Sequence, residues 1–447
     1  MLLIDDEDLQ VKEIPIGLVG YGTIGQGVAA ILELNGQQIA RKLGAKLYLK
    51  HVIEKYPDRN FDIPIDKNIV SSELDVLLRD PTVKVAIELV GGTTVAKDIV
   101  KKLIMSGKHV VTANKALLAH YGQELFELAR KYDKCIAFEA SCGGGIPLVE
   151  SIRRGLLAND IKAIFGILNG TCNYILTSMS KEGKDYATAL SEAQAQGFAE
   201  ADPTFDVKGI DTSHKLAILS SMAFGQAVPI ESISAEGIDG IQIQDINYGK
   251  ELGYVMKLLA IGIKEDDGIT ARVHPAFVSK DDPLALVSGP FNAVSVYGNA
   301  VGHTMFYGRG AGRMPTASAV LSDVIDIILG NALQTFKQVS VLPDMTLPAP
   351  IKPIDDITSR YYMRLMVVDK PGVMAEFTNI LGKHDISLSA VIQREESQEA
   401  QVVPVVVLTH KAREGNMQTA ITEIEKLESV AERPVCIRVV DQYPEFT

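Results

Sequence analysis

The residues with the clearest chemical potential lie in one short stretch, residues 197–219, which reads GFAEADPTFDVKGIDTSHKLAIL. Sixteen positions of it hold four carboxylates and one lysine, namely Glu200, Asp202, Asp206, Asp211 and Lys215. Asp211 and Lys215 are four residues apart, so on a helix they share one face. An exposed pair of this kind is an ordinary ion pair worth about 0.3–0.5 kcal/mol. A buried pair beside further carboxylates is instead a polar pocket with one lysine, and the stretch alone leaves both interpretations open.

Two elements are expected to position these side chains. Pro203 lacks a backbone donor and biases Asp202 toward extended geometry, so the first part cannot be a helix interior. The second part predicts a helix, because apolar residues recur at three- and four-residue steps from position 207 to position 222. A loop before this helix can fold Glu200 and Asp206 back toward its polar face. His214 has apolar neighbours, which favour a core histidine over a catalytic acid.

Length, composition and charge exclude several classes of protein. The 447 residues predict two to four domains, and 47% hydrophobic and 22% charged residues are typical of a soluble protein. The formal net charge of −12 argues against a nucleic-acid or anionic-membrane partner. No apolar segment approaches the ~20 residues of a membrane span, and the acidic N-terminus is not a signal peptide. Four cysteines without a C-x-x-C pair fit a reducing cytoplasm.

The N-terminal part carries a glycine motif in a meaningful order. An apolar strand candidate, residues 14–19, is followed by GYGTIG and then by a helix-like stretch, residues 27–34. In such a motif Gly20 permits a tight turn, Gly22 lets a pyrophosphate approach the backbone, and Gly25 lets helix and strand pack closely. The helix N-terminus then offers amide donors to the phosphates. The order strand, glycine loop, helix predicts a dinucleotide-binding domain.

The preferred dinucleotide stays open. The second predicted strand, residues 46–53, ends at Glu54, and an acid at this position usually holds the ribose hydroxyls of NAD. Here it follows the last glycine by more than the usual spacing. Lys50, Lys55 and Arg59 lie nearby and are suited to a 2′-phosphate. The sequence therefore predicts NAD or NADP without choosing between them.

Strand-like and helix-like segments alternate further along the chain, which predicts a parallel sheet with helical crossovers. The predicted strands are residues 83–90, 109–112 and 135–138, and the predicted helices are residues 73–79, 95–106 and 116–132. Paired glycines after the first of these strands suit a ligand crevice, and Thr94 is expected to cap the helix that follows. Lys115 follows the next strand, on the cofactor side. The loop EASCGGGIP starts with Glu139 and exposes backbone carbonyls, which suits a hinge or an oxygen-liganded cation.

The rest of the chain predicts further elements. Residues 271–300 alternate β-branched and small residues, which indicates strands of a mixed sheet. A helix from Pro315 to about position 329 is expected to return to the first domain. Prolines mark a stiff linker, residues 343–358. The tail predicts a compact βαββαβ unit, with strands at 361–368, 386–394, 401–409 and 434–440 and helices at about 373–381 and 414–427.

These motifs together resemble one family, homoserine dehydrogenase in its long form with a C-terminal ACT domain. The specific matches are VTANKALLA, GILNGTCNYIL, the acidic stretch, YGRGAGRMPTASAV and, in the tail, DKPGVMAEFTNIL. The resemblance implies an α/β chain with a Rossmann-like NAD(P)-binding domain, an α+β catalytic and dimerisation domain, and an ACT regulatory domain. The implied boundaries are 1–140, 141–306, a returning segment 307–342, the linker 343–358 and 359–447.

The resemblance also implies the reaction and its residues. The reaction is NAD(P)-dependent interconversion of L-aspartate 4-semialdehyde and L-homoserine, on the route to threonine, methionine and isoleucine. The implied catalytic residues are Lys115 and Lys215, and the implied substrate-binding residues are Glu200, Asp206, Asp211, Gly170 and Thr171. The implied cofactor-binding residues are Gly20, Gly22, Thr23, Ile24, Gly25, Glu54, Gly91, Thr93, Asn114, Lys115 and Gly312.

The same resemblance implies a cation site and an effector site. Glu139 and the carbonyls of Cys142, Gly144 and Ile146 match a sodium site. An effector, threonine by resemblance, would contact Gly372, Asn379 and Gln393 where two ACT domains pair in a homodimer or homotetramer. Two features depart from the family pattern: Glu54 stands where a basic residue is common, and His303 has no assigned role.

The chemistry favours a lysine independently of the resemblance. Hydride addition to an aldehyde leaves negative charge on oxygen, which requires a positioned cation or acid, and general acid catalysis contributes about 10²–10⁴-fold. No zinc ligand set is visible, and no tyrosine is followed by a lysine four residues later. We therefore expect Lys215, oriented by a carboxylate, to protonate the alkoxide while Lys115 positions the substrate. The alternatives are a non-catalytic dinucleotide-binding sensor and another ACT-bearing dehydrogenase, although a His–Glu relay with a substrate arginine is not evident.

Overall fold

The structure is a computed structural model that describes residues 12–339, 350–394 and 401–444. The chain divides into two compact units. The first unit comprises Met1–Leu157, Ala217–Ile230 and Gly308–Leu347, and the second comprises Ala158–Leu216, Glu231–Tyr307 and Pro348–Thr447. Residues 340–349, which include part of the predicted linker, lie outside the described residues.

The first unit is built on a six-stranded parallel sheet with helical crossovers. Its elements up to residue 157 are β1 Lys12–Val19, α1 Thr23–Leu43, β2 Ala45–Ile53, β3 Val70–Ser71, α2 Leu74–Arg79, β4 Val85–Glu88, α3 Thr94–Met105, β5 His109–Thr112, α4 Lys115–Lys131, β6 Ile136–Ala137 and α5 Leu148–Glu150. The strand order is 3-2-1-4-5-6, the doubly wound order of dinucleotide-binding domains. The predicted α/β class is thus confirmed for this part of the chain.

The first helix is much longer than predicted. The expected segment 27–34 is wrong in length, because α1 begins at Thr23, directly after the glycine turn, and ends at Leu43. Glycine inside a helix is normally unfavourable, but at Gly27 it allows close packing. A Cβ there would lie 2.7 Å from the carbonyl oxygen of Arg313, at the start of a later helix of the same unit.

The middle of the chain supplies the strands of a second, larger sheet. It contains β7 Ile161–Ile167, α6 Gly170–Glu182, α7 Tyr186–Ala195, α8 Thr204–Val207, α9 Ile210–Phe224, β8 Ser234–Ala235, α10 Ile243–Glu251, β9 Tyr254–Glu265, β10 Gly268–Ser279, β11 Phe291–Gly298 and β12 Gly302–Arg309. The chain then returns to the first unit with α11 Arg313–Ile328 and α12 Asn331–Gln338. The continuous helix predicted from position 207 is wrong. Two helices form instead, because Gly209 has a φ of 79°, a left-handed conformation that suits glycine and ends α8.

The C-terminal part has the predicted βαββαβ order. It contains β13 Thr358–Val368, α13 Val373–Lys383, β14 Leu388–Gln393, β15 Val402–Thr409, a short β16 Ala412–Arg413, α14 Glu414–Ile424 and β17 Val435–Val440. The expected face of α13, which is Val373, Phe377, Ile380 and Leu381, is buried in a core with residues of β13, β15 and α14. The ACT-like architecture is therefore confirmed.

The strands of the second unit form one continuous sheet. Its order is β12-β11-β7-β9-β10-β17-β13-β15-β14, with β8 pairing with β10. The link between its two halves is a parallel pairing of β10 with β17, in which Ala276 lies opposite Arg438. One edge of the C-terminal strands is thus occupied by β10, while β14 is the outer strand at the other end of the order.

Among the described residues no single helix is long and apolar enough to cross a membrane. Only when α11 and α12 are counted as one segment do they reach the length and hydrophobicity of a membrane span, and the two helices are bent by 81° relative to each other.

Candidate active site

The helix α9 brings the central pair of charged residues into a buried position. Lys215 Nζ donates to Asp211 Oδ2 at 2.8 Å and to the carbonyl oxygen of Leu168 at 2.7 Å. The two side chains are only 9% and 6% exposed. The interpretation as a surface ion pair is therefore wrong, because a pair excluded from water is screened far less than an exposed one.

Asn169 connects this pair to a second carboxylate. Its Nδ2 donates to Asp206 Oδ1 at 2.7 Å and to Asp211 Oδ2 at 2.9 Å. Its Oδ1 accepts from the backbone N–H of Cys172 at 2.8 Å and so caps α6. One amide thus holds Asp206 and Asp211 together beside the lysine. The sequence reasoning missed Asn169, although an asparagine between a strand and a helix is a capping signal that could have indicated it.

The predicted loop residues surround the cluster. Gly170 begins α6, and a Cβ there would lie 2.9 Å from the carbonyl oxygen of Pro290, so a larger residue does not fit. Thr171 Oγ1 donates to the carbonyl oxygen of Phe198 at 2.6 Å, which ties α6 to the segment that leads to the acids. Glu200 is exposed, and its backbone carbonyl oxygen accepts from Gln194 Nε2 at 3.0 Å, so the structure does not bring its carboxylate into the cluster.

Two nearby groups are unsuited to acid–base work. Cys172 is buried, and its Sγ donates to the carbonyl oxygen of Asp206 at 3.3 Å. Burial, followed by the charges of Asp206 and Asp211, raises the pKa of this thiol well above its ordinary value, so it stays protonated. His214 is buried with its ring centroid 5.3 Å from that of Phe205, as a packed core residue would be. Lys215, by contrast, donates directly to a neighbouring carboxylate, Asp211.

The glycine loop of the first unit borders a cavity of about 560 Å³. Gly20 has a φ of 97°, and Gly25 lies so close to the Gly20 carbonyl that any Cβ would collide with it. Gly22 is the N-cap of α1, and a Cβ there would meet open space. The motif thus provides a tight turn, a close helix contact and an open approach to the backbone amides of Thr23 and Ile24, which suits a pyrophosphate.

Glu54 has a role that the sequence reasoning did not assign. Its buried carboxylate accepts from the backbone N–H of Tyr21 at 2.9 Å and from Arg59 Nη2 at 3.4 Å, so it braces the glycine turn. It also lines the cavity, together with Lys55 and Arg59. Lys50 instead pairs with Asp80 at 2.8 Å and does not line the cavity, which removes it from the 2′-phosphate candidates.

In the parallel sheet of the first unit, Asn114 connects the loop after β5 to the loop after β4. Its Nδ2 donates to the carbonyl oxygen of Gly92 at 2.6 Å, and its Oδ1 accepts from the Leu117 N–H at 3.0 Å and caps α4. Lys115 is the first residue of that helix and is half-buried. The expectation that Thr94 caps α3 is wrong, because Thr93 is the N-cap and Thr94 is the first helical residue.

Two predicted glycines of the cofactor set have left-handed backbones. Gly91 follows β4 and has a φ of 78°, and Gly312 is the N-cap of α11 with a φ of 120°. At both positions a side chain would be strained. Gly91 therefore lies in the turn after β4, and Gly312 lies in the turn that leads into α11.

The loop expected to hold sodium is organised around Glu139. Its carboxylate accepts from the N–H groups of Val149 at 3.0 Å and Glu150 at 2.7 Å, and its own N–H donates to Asp323 Oδ2 at 2.8 Å. Burial raises the pKa of Glu139 to about 7. Burial and the charge of Glu139 also raise the pKa of Asp323 well above its ordinary value. Two acids therefore share a site that disfavours negative charge.

The remaining expected residues lie at exposed or packed positions. Gly372, with a φ of 98°, caps α13; Asn379 lies on α13 and Gln393 ends β14; and all three are exposed. His303 packs parallel to the ring of Tyr297 with centroids 4.5 Å apart, and its Nε2 lies 2.9 Å from Ser295 Oγ. These contacts give His303 a packing role between β12 and β11.

Comparison with known proteins places these features in a family context. Three family models match the chain: homoserine dehydrogenase, NAD binding domain, over residues 20–139; homoserine dehydrogenase over residues 147–325; and ACT domain over residues 361–429. The chain is 40% identical to homoserine dehydrogenase of Pseudomonas aeruginosa, covering 96% of this chain and 99% of that one. It is 41% identical to homoserine dehydrogenase of Neisseria gonorrhoeae, covering 95% and 98%.

Solved structures agree with the sequence comparisons. A homoserine dehydrogenase from Thiobacillus denitrificans superposes with a TM-score of 0.88 at 39% identity, covering 96% of this chain and 99% of that chain. A hyperthermophilic archaeal homoserine dehydrogenase in complex with NADPH superposes with a TM-score of 0.60 at 27% identity, covering 71% and 98%. With a nicotinamide-binding domain, a matching catalytic domain and an ACT domain, the chain belongs to the homoserine dehydrogenase family of oxidoreductases.

Proposed function

We propose that this enzyme interconverts L-homoserine and L-aspartate 4-semialdehyde with the Asp211–Lys215 pair as its proton-transfer group. The observation that carries this assignment is the buried contact of 2.8 Å between Lys215 Nζ and Asp211, with a second contact of 2.7 Å to the Leu168 carbonyl. The Asp211 carboxylate and the Leu168 carbonyl fix the direction of the Lys215 ammonium group. Proton transfer in a transition state requires a side chain that is positioned in this way.

The chemical step needs one proton at one oxygen. When bound, a nicotinamide cofactor would supply the hydride to the aldehyde carbon in reduction and would take it up from homoserine in oxidation. As the carbonyl π bond breaks, the oxygen gains the electron pair, and Lys215 donates a proton to it to give the hydroxyl group. In the oxidative direction the Lys215 nitrogen accepts that proton while the C–H bond breaks. Asp211 stabilises the protonated lysine and orients it.

The acids next to this pair are proposed to bind the amino group of the substrate. Asp206 is half-buried beside the cluster, so it combines access to solvent with a position fixed by Asn169. Glu200 lies on the exposed segment before it and is proposed as a second carboxylate for the same ammonium group. Gly170 and Thr171 support this binding site through the close approach to Pro290 and the contact with Phe198.

Lys115 is proposed as the second active-site lysine. It stands at the carboxyl end of β5, where ligands of doubly wound sheets bind. We expect Lys115→Met to lower kcat by about 10-fold or more, because it removes a substrate-positioning cation. The matched control is Lys131→Met at the other end of α4, which should leave kcat unchanged.

The dinucleotide is proposed to occupy the cavity next to the glycine loop, with its phosphates at the N-terminus of α1. Lys55 and Arg59 line this cavity and favour a 2′-phosphate, in agreement with the NADPH found in the archaeal relative, whereas Glu54 is already engaged by the turn. We therefore propose use of NADP, with NAD as the second cofactor. Arg59→Ala should raise KM for NADP+ more than KM for NAD+; an equal change for both would contradict the assignment.

We also propose a monovalent cation, sodium by resemblance, at Glu139 and the carbonyls of Cys142, Gly144 and Ile146. The fit rests on two buried acids, Glu139 and Asp323, whose ionised forms burial disfavours, and on Gly144, where a Cβ would collide with the Gly310 carbonyl. A cation there would stabilise the ionised form of Glu139. We expect sodium to raise Tm in the wild type but not in Glu139→Gln; an equal rise in both would exclude the site.

The ACT domain is proposed to bind threonine where two copies meet, with Gly372, Asn379 and Gln393 as contacts. Supporting this, β14 ends the strand order and places Gln393 at an outer edge that a second copy can extend in a homodimer or homotetramer. Threonine should inhibit the full chain and should not inhibit Gln393→Ala. An enzyme that is insensitive to threonine from the start would exclude threonine as the effector.

Two assays test the function itself. Homoserine with NAD+ or NADP+ should increase absorbance in the nicotinamide band, whereas no reaction with either would favour the non-catalytic sensor. We propose that homoserine made in the direction of reduction feeds threonine, methionine and isoleucine synthesis. We also propose a cytoplasmic location, because the four cysteines form no disulfide.

A further inference from the structure

An ion pair joins the last strand of the ACT part to the segment that follows β8. Arg438 on β17 donates from Nη1 to Glu236 Oε2 at 3.0 Å, and its Nη2 lies 2.8 Å from Glu236 Oε1. The same guanidinium also donates from Nε and Nη2 to Glu414 at 2.8 and 2.7 Å. The Arg438 side chain is only 6% exposed, so its direction is fixed by two bidentate carboxylate contacts.

The segment that begins with Glu236 lies directly against the residues that carry the substrate acid. The Ile238 N–H donates to the carbonyl oxygen of Val207, the last residue of α8, at 2.8 Å. Gly237 is so close to Val207 that any Cβ would collide with its carbonyl oxygen. Glu236 is itself anchored to β10, because its N–H donates to the Val273 carbonyl oxygen at 2.8 Å.

The same segment supports the break between α8 and α9. A Cβ on Gly209 would lie 3.1 Å from Val273 Cγ1 and 3.4 Å from the Glu236 carbonyl oxygen, so this turn packs on β10 and on Glu236. Asp206 stands just before the break and Asp211 just after it. The position of both carboxylates therefore depends on where residues 236–238 lie.

We infer that Glu236 and Arg438 are positioning residues for substrate binding: the ion pair holds residues 236–238 against α8 and so sets Asp206 relative to Asn169, Asp211 and Lys215. This inference rests on the proposed role of Asp206 in binding the substrate. It also gives the ACT part a physical connection to the substrate site, since Arg438 belongs to the ACT sheet and Asp206 to the catalytic cluster. A displacement of β17 would change the contact between Arg438 and Glu236, and through residues 236–238 it would change the position of α8.

The test is Glu236→Gln, which keeps the shape of the side chain and removes the charge that Arg438 binds. The Glu236 side chain is 47% exposed, so the variant should fold with an unchanged Tm. We expect KM for homoserine to rise about three- to tenfold, which is the range of coupling effects through such networks, with kcat and KM for the dinucleotide within twofold. Threonine inhibition, where the wild type shows it, should weaken.

The matched control is Glu251→Gln. Glu251 also pairs with an arginine of the ACT part, Arg394, but this pair is exposed on both sides and does not touch α8. It should leave KM for homoserine unchanged. An equal rise in both variants, a fall in kcat alone, or an unchanged KM in Glu236→Gln would overturn the inference. A wild-type enzyme that does not oxidise homoserine would instead overturn the proposed function.

Discussion

Two of the buried pairs of a cation and a carboxylate in the second unit, Lys215–Asp211 and Arg364–Asp245, differ in what they can do. Lys215 and Asp211 are 9% and 6% exposed, and Arg364 and Asp245 are 2% and 0% exposed. Arg364 donates to both oxygens of Asp245 at 2.6 and 3.0 Å. Tyr362 Oη adds a third donor to Asp245 at 2.9 Å.

The difference shows that burial of a charge does not by itself indicate catalysis. An arginine keeps its proton throughout the accessible pH range, and the Asp245 carboxylate is saturated by a guanidinium fork and a phenol. A lysine can exchange a proton, and Lys215 lies beside a half-buried second acid, Asp206, through the Asn169 amide. The first pair is therefore the one that we propose to transfer a proton, whereas the second holds α10 against β13.

The largest effect is expected at the lysine. Lys215→Ala should lower kcat by about 10²–10⁴-fold, because it removes the general acid, while the Kd of the dinucleotide stays within twofold. Steady-state kinetics and cofactor titration measure the two quantities. Lys208→Ala, which removes an exposed lysine nearby, is the control and should keep normal kcat. A near-normal kcat in Lys215→Ala would remove the distinction between the two pairs.

The next largest effect is expected at the structural pair. Asp245→Ala leaves Arg364 buried without its carboxylate, which should cost about 3–5 kcal/mol of unfolding free energy. Thermal unfolding of the variant beside Glu251→Gln, where an exposed ion pair is lost, measures this. The folded fraction of Asp245→Ala should retain kcat within twofold. An unchanged Tm would show that burial of this pair contributes little.

Another buried cation, Lys257, sharpens the comparison because its hydrogen-bond partners are neutral. Lys257 Nζ donates to Asn173 Oδ1 at 3.1 Å and to the Val287 carbonyl at 2.5 Å, and burial, with a smaller effect of Lys181, lowers its pKa to about 8. The unfolded chain therefore binds more protons between pH 8 and about pH 10.5, so stability rises with pH across this window.

Lys257→Met should abolish this rise. Wild-type stability should increase relative to the variant by roughly 3 kcal/mol from pH 7 to about pH 10.5, since one pKa unit corresponds to about 1.4 kcal/mol. Tm measured against pH gives the difference. Lys181→Met, at the exposed lysine whose charge has the smaller effect on this pKa, should keep most of the wild-type slope. Parallel curves for Lys257→Met and wild type would show that Lys257 titrates normally.

The smallest effect is expected at an exposed pair. Lys208 Nζ lies 2.7 Å from Asp239 Oδ2, but the side chains are 53% and 38% exposed. Asp239→Asn should therefore change stability by less than about 1 kcal/mol. A Tm shift as large as that of Asp245→Ala would mean that exposure does not separate the two kinds of pair.

Features that depend on neighbouring residues could be predicted from the sequence, whereas features that depend on contacts between distant residues could not. The glycine turn, the βαββαβ tail and the i,i+4 relation of Asp211 to Lys215 depend on neighbouring residues, and the structure has all three. Asn169 escaped notice because its partners Asp206 and Asp211 lie 37 and 42 positions away. A capping asparagine can be recognised locally, but its role between two carboxylates depends on the tertiary fold.

Two further features could not be predicted for the same reason. The full length of α1 depends on Gly27, which is tolerated because α11 packs against it. The pairing of β10 with β17 joins strands that the sequence assigns to different domains, and nothing in either strand specifies its neighbour. Helix and strand periodicity indicates which face is buried but does not identify what covers it.

The most direct test of the central claim replaces Lys215 with the cation of the structural pair. Lys215→Arg keeps a positive charge beside Asp211 but cannot release a proton at accessible pH. We expect the single-turnover rate of hydride transfer from homoserine to fall by about 10²-fold or more, with dinucleotide binding unchanged. A single-turnover rate close to that of the wild type would show that Lys215 acts only as a fixed charge, and would contradict its role in proton transfer.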